Sequence, residues 1–156
     1  MSNDFCVRQI TANDLELMVA LLHTFGEVFN EPETYTAKRP EDAYLRQLLA
    51  SDYFIALVAI KDSSVIGGLA AYELKKFEQE RSEIYIYDLA VSGEYRRQGV
   101  ATLLIQELKK IAMLQGAYVI FVQADTGEED EAAIALYTKL GIKENVLHFD
   151  IPVQRQ

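Results

Sequence analysis

The chain reads as a mixed α/β protein: one central sheet, antiparallel in its first half and partly parallel in its second, flanked by about four helices. Three observations predict this. "YFIALVAI" (53–60) and "VIGGLAAYELKKF" (65–77) are strand-type runs joined by "KDSS", a hairpin signal. Strand and helix then alternate through "EIYIYDLAV" (83–91), "GVATLLIQELKKIAMLQ" (99–115), "AYVIFVQA" (117–124) and "AAIALYTKL" (132–140), the order that builds parallel pairs. No repeat, low-complexity tract or linker interrupts the 156 residues, a length that suits a single domain, 1–156.

Each element has its own reason. "FCVRQI" (5–10) alternates and predicts a first strand. "TANDLELMVALLHTFGEVF" (11–29) predicts a helix with Thr11 as N-cap and Asp14 three residues on; Leu15, Met18, Leu22, Phe25 and Phe29 share one face. "EPETYTAKRP" (31–40) carries two prolines and reads as a loop, and "EDAYLRQLLAS" (41–51) as a short second helix. Gly67 and Gly68 inside a strand predict a bulge or a close backbone approach. Gly116 and Gly141 stop their helices. "VLHFDIPV" (146–153) alternates and predicts a last strand, with His148 and Asp150 on one side and Leu147, Phe149 and Ile151 on the other.

Composition narrows the function. The net charge is −9, and the basic residues form no patch larger than the pair at 96–97, which does not suit nucleic acid. An acidic surface attracts cationic ligands instead. The single cysteine, Cys6, allows no internal disulfide and is expected to be a small core residue. Two histidines without paired spacing, His23 and His148, predict no metal, and His23 beside apolar helix residues reads as structural. No apolar run approaches the ~20 residues of a membrane span. "MSNDFCVRQ" lacks the layout of a secretory signal, so the cytoplasm is the expected location.

The stretch "YDLAVSGEYRRQGVA" (87–101) raises the sharpest question. It places a strand, a turn with two arginines and a glycine-opened helix in series. A helix N-terminus presents unpaired N–H groups and partial positive charge, and it suits an anion. Gly99 lets backbone approach closely, and Arg96 and Arg97 add charge at the same end. Arg96, Arg97, Gln98, Gly99, Val100 and Ala101 therefore read as a pyrophosphate seat; an ordinary strand–turn–helix with solvated arginines is the plain alternative. Neither G-x-x-x-x-G-K-[ST] nor a post-strand G-x-G-x-x-G occurs, so P-loop and dinucleotide folds are not expected.

"LAVSGEYRRQGVATLLIQEL" resembles the acyl-CoA-binding motif of the GNAT superfamily of N-acetyltransferases, Arg/Gln-x-x-Gly-x-Gly/Ala, which stands here as Arg96, Gly99 and Ala101. "AIALYTKLGI" (133–142) resembles the superfamily's second motif, with Asp130 where an asparagine is usual. "KFEQERSEIYIYDLAVSGEYRRQG", "GAYVIFVQAD", "ALYTKLGI" and "HFDI" together resemble the aminoglycoside 3-N-acetyltransferases, the gentamicin-resistance enzymes of that superfamily. The resemblance implies acetyl-CoA as cofactor, transfer to the 3-amino group of a gentamicin-type aminoglycoside in a ternary complex, and a homodimer. It implies that the backbone of Leu89, Ala90 and Val91 pairs with the pantetheine arm, with an N–H near Ala90 or Val91 facing the thioester oxygen. It places Thr102, Asp130, Ala133 and Tyr137 on the cofactor, with Tyr137 as general acid for the leaving thiolate.

The residues themselves suggest the rest. Asp88 is a carboxylate in an apolar strand, costly unless it meets a partner or a charged ligand, and is the candidate base. Strict alternation puts it on the side of Ile84 and Ile86, away from Tyr85, Tyr87 and Leu89; a bulge, common in this strand of the family, would change that. Glu83 is the second candidate base. Glu83, Tyr85, Tyr87, Asp88, Asp125 (read as closing the fifth strand), His148 and Asp150 are the candidate contacts for a polycation, with "EEDE" (128–131) either a further acid cluster or a solvated turn. A polyamine acetyltransferase and a non-catalytic acyl-CoA-binding module are the alternatives.

Overall fold

The computed structural model describes residues 5–127 and 130–154. It forms two compact units, Met1–Gln123 and Ala124–Gln156.

The first unit holds the sheet. Strands β1 (Phe5–Gln9), β2 (Phe54–Lys61), β3 (Ser64–Lys75), β4 (Ser82–Val91) and β5 (Ala117–Val122) lie in the order β1-β2-β3-β4-β5. The first four pair antiparallel, and β4 and β5 pair parallel. The β2–β3 hairpin turns through Asp62 and Ser63, both at positive φ, the conformation a two-residue hairpin loop requires. Helices α1 (Leu15–Val28) and α2 (Asp42–Ala50) cover one face. There Met18, Leu21, Phe25, Leu45 and Leu49 are buried with Phe54, Ala56, Val58, Ala70 and Ala90. Helix α3 (Val100–Gln115) buries Val100, Leu104, Ile105, Leu108 and Ala112 and packs against strands β1 to β5. The alternate sheet residues Ile55, Leu57, Leu69, Ala71, Ile84 and Ile86 are buried on that opposite face.

The glycine pair does both things expected of it. Ala59 pairs with Gly67 and Ile60 with Val65, so the ladder slips by one residue beside Gly67. A Cβ on Gly68 would strike Leu21 Cδ1 and the Leu57 carbonyl oxygen. Gly68→Ala is therefore expected to lower unfolding free energy by about 3 kcal/mol, because both obstacles sit in a packed core; a denaturant titration checks this.

Local details differ from the sequence reading. Helix α1 begins at Leu15, not Thr11; Thr11 donates its N–H (2.9 Å) and hydroxyl (2.8 Å) to Asp14 Oδ2 and closes a turn ahead of the helix. The proline-bearing loop contains a π-helical turn, Glu33–Ala37. Cys6 is exposed on β1, an edge strand with an open side, so it is not a core residue. His23 is likewise exposed, 3.5 Å from Glu27 one helical turn on.

The second unit holds helix α4 (Glu131–Leu140), with Asp130 at its N-cap and Gly141 at its end. Residues 142–154 follow with no strand pairing, so the predicted strand at 146–153 is absent; Leu147, Phe149 and Ile151 are exposed. Alternation supplies two faces, but a strand also needs a ladder partner. Glu128 and Glu129 of the acidic run lie outside the described residues. No helix among the described residues is long and apolar enough to cross a membrane.

Candidate active site

The site begins with one extra residue in β4. Ala70 faces Asp88 and Ala71 faces Ile86, so Tyr87 bulges out of the ladder. The bulge shifts Asp88 out of phase with Ile84 and Ile86. Its cross-strand partner, Ala70, belongs to the cluster packed by α1, and Asp88 therefore lies on the α1 face. Strict alternation had placed it on the other side.

There Asp88 is half-buried and meets a residue of the proline-bearing segment 31–40. Tyr35, carried by the π-helical turn, donates its hydroxyl to Asp88 Oδ2 at 2.9 Å. Among the described residues no lysine, arginine or histidine pairs with Asp88. Burial pushes its pKa up to about 6, the Glu31 carboxylate adds to the rise, and the Tyr35 hydrogen bond opposes it. Burial, together with Asp88, holds the Tyr35 phenol well above its ordinary value. Tyrosines extend the surroundings: the Tyr87 ring lies 6.0 Å from Tyr72 and 5.9 Å from Tyr85, and Tyr85 stacks on Phe121 at 4.8 Å. A carboxylate with phenol neighbours and no cation is suited to a ligand ammonium, and the exposed Tyr87 ring offers a face to it.

A second feature adjoins it along the strand. The β4–β5 ladder ends at Ile86 and Val122. Residues 87–91 run on, so their backbone on the side away from β3 has no strand partner within this unit. Leu89, Ala90 and Val91 thus present an open edge that an extended ligand arm can join. The chain then turns through Gly93–Tyr95 and enters α3. Arg97 and Gly99 both hold positive φ, 62° and 83°. Arg97 pays a backbone penalty there that glycine does not. The N-cap of α3 is Gly99, which has no side chain to cap the helix, and its first turn carries no acid, so the N–H groups of the first turn, Val100, Ala101 and Thr102, lie beside the exposed Arg96 and Arg97. A Cβ on Gly99 would meet nothing within 4 Å, so there is room for a ligand. Gln98 turns its amide toward the Glu94 carbonyl, at 3.4 Å. Lys61, 5.6 Å over the Tyr95 ring, is a cation the sequence reading did not single out. These residues fit a coenzyme A pyrophosphate and pantetheine arm.

Glu83 and Tyr85 already have side-chain partners of their own. Glu83 lies five residues before Asp88, roughly 16 Å along the strand. It accepts the Tyr118 hydroxyl at 3.0 Å and faces Lys76 at 3.8 Å, so its charge is already partnered. Tyr85 donates to Gln123 Oε1 at 3.1 Å. In the second unit Asp125 is three residues past the end of β5, so it does not close that strand; its N–H donates to Asp130 Oδ2 at 2.8 Å. Tyr137 is half-buried two turns along α4 from Asp130, with Ala133 between them. Burial, then the Asp130 carboxylate, pushes its phenol up to about 12. His148 Nε2 and Asp150 Oδ1 stand 2.8 Å apart on exposed chain. No group of three or more His, Cys, Asp or Glu among the described residues is arranged to hold a metal.

A sheet whose fourth and fifth strands part company, a glycine-opened helix start beside two arginines, and a half-buried carboxylate without a cation suit an acyltransferase, which moves an acyl group from a coenzyme A thioester to an amine and releases the thiol. The chain belongs to the acetyltransferase (GNAT) family, matched over residues 19–142. It is similar to the aminoglycoside acetyltransferase HMB0005 from an uncultured soil metagenomic sample: 64% identity and a TM-score of 0.95, over 99% of this chain and 100% of that one. It is also similar to the aminoglycoside acetyltransferase meta-AAC0020 from an uncultured soil metagenomic sample, whose crystal structure holds sisomicin: 30% identity and a TM-score of 0.87, over 97% and 98%. Human N-acetyltransferase 8 is 30% identical over 55% of this chain. The chain spans 37% of that protein's length, and 40% of a second curated relative, rat N-acetyltransferase family 8 member 2.

Proposed function

We propose that the protein is an aminoglycoside 3-N-acetyltransferase that transfers acetyl directly within a ternary complex. The observation that carries the polycationic substrate is Asp88: half-buried, without a counter-cation, and set among tyrosines. The likeness to HMB0005 and to the sisomicin-bound meta-AAC0020 supports the aminoglycoside class. The 3-amino position and gentamicin rest on the sequence resemblance.

Acetyl-CoA supplies an activated acyl carbon. Arg96, Arg97 and the first-turn amides of α3 would hold its pyrophosphate. The open backbone edge of residues 89–91 would hold its arm, and an N–H near Ala90 or Val91 would be the donor for the oxygen on which charge develops. Asp88 takes the proton that the attacking ammonium must lose. The sequence resemblance alone assigns Tyr137, on α4, to the departing sulfur, where its hydroxyl would act as donor. Tyr87 and Tyr85 flank the sugar rings.

The test is acetyl-CoA consumption by purified protein on gentamicin, kanamycin and spermidine. The expected result is rapid turnover on gentamicin, with NMR locating the acetyl group on the 3-amine. Acetylation at another amine overturns the position alone. Turnover on spermidine only replaces the substrate class. Silence on all three, with acetyl-CoA still bound, points to a non-catalytic acyl-CoA module.

A further inference from the structure

We propose that Tyr35 is a positioning residue whose hydroxyl, delivered by the π-helical turn after α1, fixes the Asp88 carboxylate in the orientation that receives the substrate's ammonium. The inference rests on the reading of Asp88 as the proton acceptor.

The turn is built to place that hydroxyl. Glu31 donates its N–H to the Gly26 carbonyl at 2.9 Å, Pro32 opens the turn, and Tyr35 donates its N–H to the Glu31 carbonyl at 3.2 Å. Gly26 gives the turn room on α1: a Cβ there would stand 3.2 Å from Thr36 Oγ1, 3.3 Å from Pro32 Cα and 3.4 Å from Tyr35 Cβ. The Tyr35 ring meets Phe25 edge-on at 5.9 Å and lies 5.7 Å from Phe29. A ring held on two sides leaves its hydroxyl little freedom, and first contacts need such support.

The hydroxyl makes one directional choice. It bonds Oδ2 and leaves Oδ1 without a side-chain partner among the described residues. Among the described residues no fully buried side-chain oxygen is left unpaired, so Oδ1 keeps some exposure and is available to a ligand. Phenylalanine would satisfy both ring contacts; only the bond to Asp88 uses the oxygen.

The groups that bear on Asp88 are Tyr35 and Glu31 from the segment after α1, Tyr72 on β3 and Tyr85 on β4, with Tyr87 next to it in the chain. None is a cation. Tyr35 is the member that favours the ionised carboxylate, and burial and Glu31 oppose it. Removing the hydroxyl leaves the opposition intact, so protonation of Asp88 moves to higher pH.

The experiment compares Tyr35→Phe, Glu31→Gln and Asp88→Asn with the parent. It uses pH profiles of kcat/KM, acetyl-CoA affinity, thermal midpoint and ¹³C NMR titration of the Asp88 carboxyl in the ligand-free protein. Tyr35→Phe is expected to lower kcat/KM at neutral pH roughly tenfold, the effect of losing one hydrogen bond to a charged group. It should move the acid limb and the NMR titration upward, with acetyl-CoA affinity unchanged. Glu31→Gln should move both downward. A Tyr35→Phe titration and profile that superimpose on the parent's, while Asp88→Asn abolishes the acid limb, overturn the positioning role alone. An acid limb that survives in Asp88→Asn overturns the reading of Asp88 beneath it. A Tyr35→Phe protein that merely melts lower, with its titration unmoved, marks Tyr35 as packing only.

Discussion

Asp88→Asn is expected to lose about 10²- to 10⁴-fold in kcat, the range a positioned general base supplies, and yet to melt at a higher temperature than the parent at pH 7. Both expectations come from the bulge that turns Asp88 onto the α1 face. Burial there raises its pKa from 3.8 to about 6. The parent should therefore show an acid limb in kcat/KM inflecting near pH 6, reported by the free enzyme, and the variant should lack it. Below pH 4 the folded and unfolded chains both hold the proton. Between pH 4 and 6 the folded chain holds it more tightly, so the contribution of Asp88 to stability falls as pH rises through this window. Above pH 6 the charge stays buried without a counter-cation, and its full destabilisation is present. Asparagine removes that charge and still accepts the Tyr35 hydroxyl. The gain in thermal midpoint should be seen at pH 7 and vanish near pH 4. Parental activity in the variant would return the proton-accepting role to solvent or to Glu83, although the latter already has Lys76 and Tyr118 as partners. Lowered stability at pH 7 would make Asp88 a structural carboxylate.

The sheet was legible because its signals are local. Apolar runs between 53 and 75, the "KDSS" turn and the strand–helix alternation after residue 83 each act within a few residues. So does the glycine-opened α3, whose periodic Val100, Leu104, Ile105 and Leu108 need only one face to cover. What was illegible depends on partners distant in sequence. Tyr35 lies 53 residues from Asp88, inside a segment whose prolines read as loop, and nothing in "ETYTA" announces a π-helical turn. The bulge at Tyr87 is a property of the ladder with β3, so alternation within β4 alone gave Asp88 the wrong side. Cys6 is expected in the core from its residue type, but it shares a strand face with Arg8 on the edge strand β1 and is exposed. The alternation at 146–153 is present without a ladder to use it. Asp88 itself was legible for a chemical reason: an ionisable group in an apolar strand needs a purpose, whichever way it points.

Tyr137→Phe is expected to lower kcat by about 10²-fold, as the loss of one aimed donor does, while acetyl-CoA affinity stays close to the parent's. We propose Tyr137 as the residue serving the leaving sulfur. Its phenol, pushed up to about 12 by burial and then by Asp130, remains neutral across the working pH range. A thiol ordinarily ionises near 8.5, so complete transfer of the phenol proton to the thiolate runs uphill. The effective contribution is a hydrogen bond that strengthens as negative charge gathers on sulfur, an interaction stronger in the transition state than with bound thioester. Three consequences follow from this account. The loss should fall on kcat and not on cofactor binding. Neither parent nor variant should show an alkaline limb from this residue between pH 7 and 10. A thioester with a more acidic leaving thiol should narrow the gap between them, because its sulfur needs less help. Single-turnover rates on the parent and Tyr137→Phe, measured with both thioesters, provide the check. Equal rates under chemistry-limited conditions would remove Tyr137 from the mechanism and leave protonation of the sulfur to water.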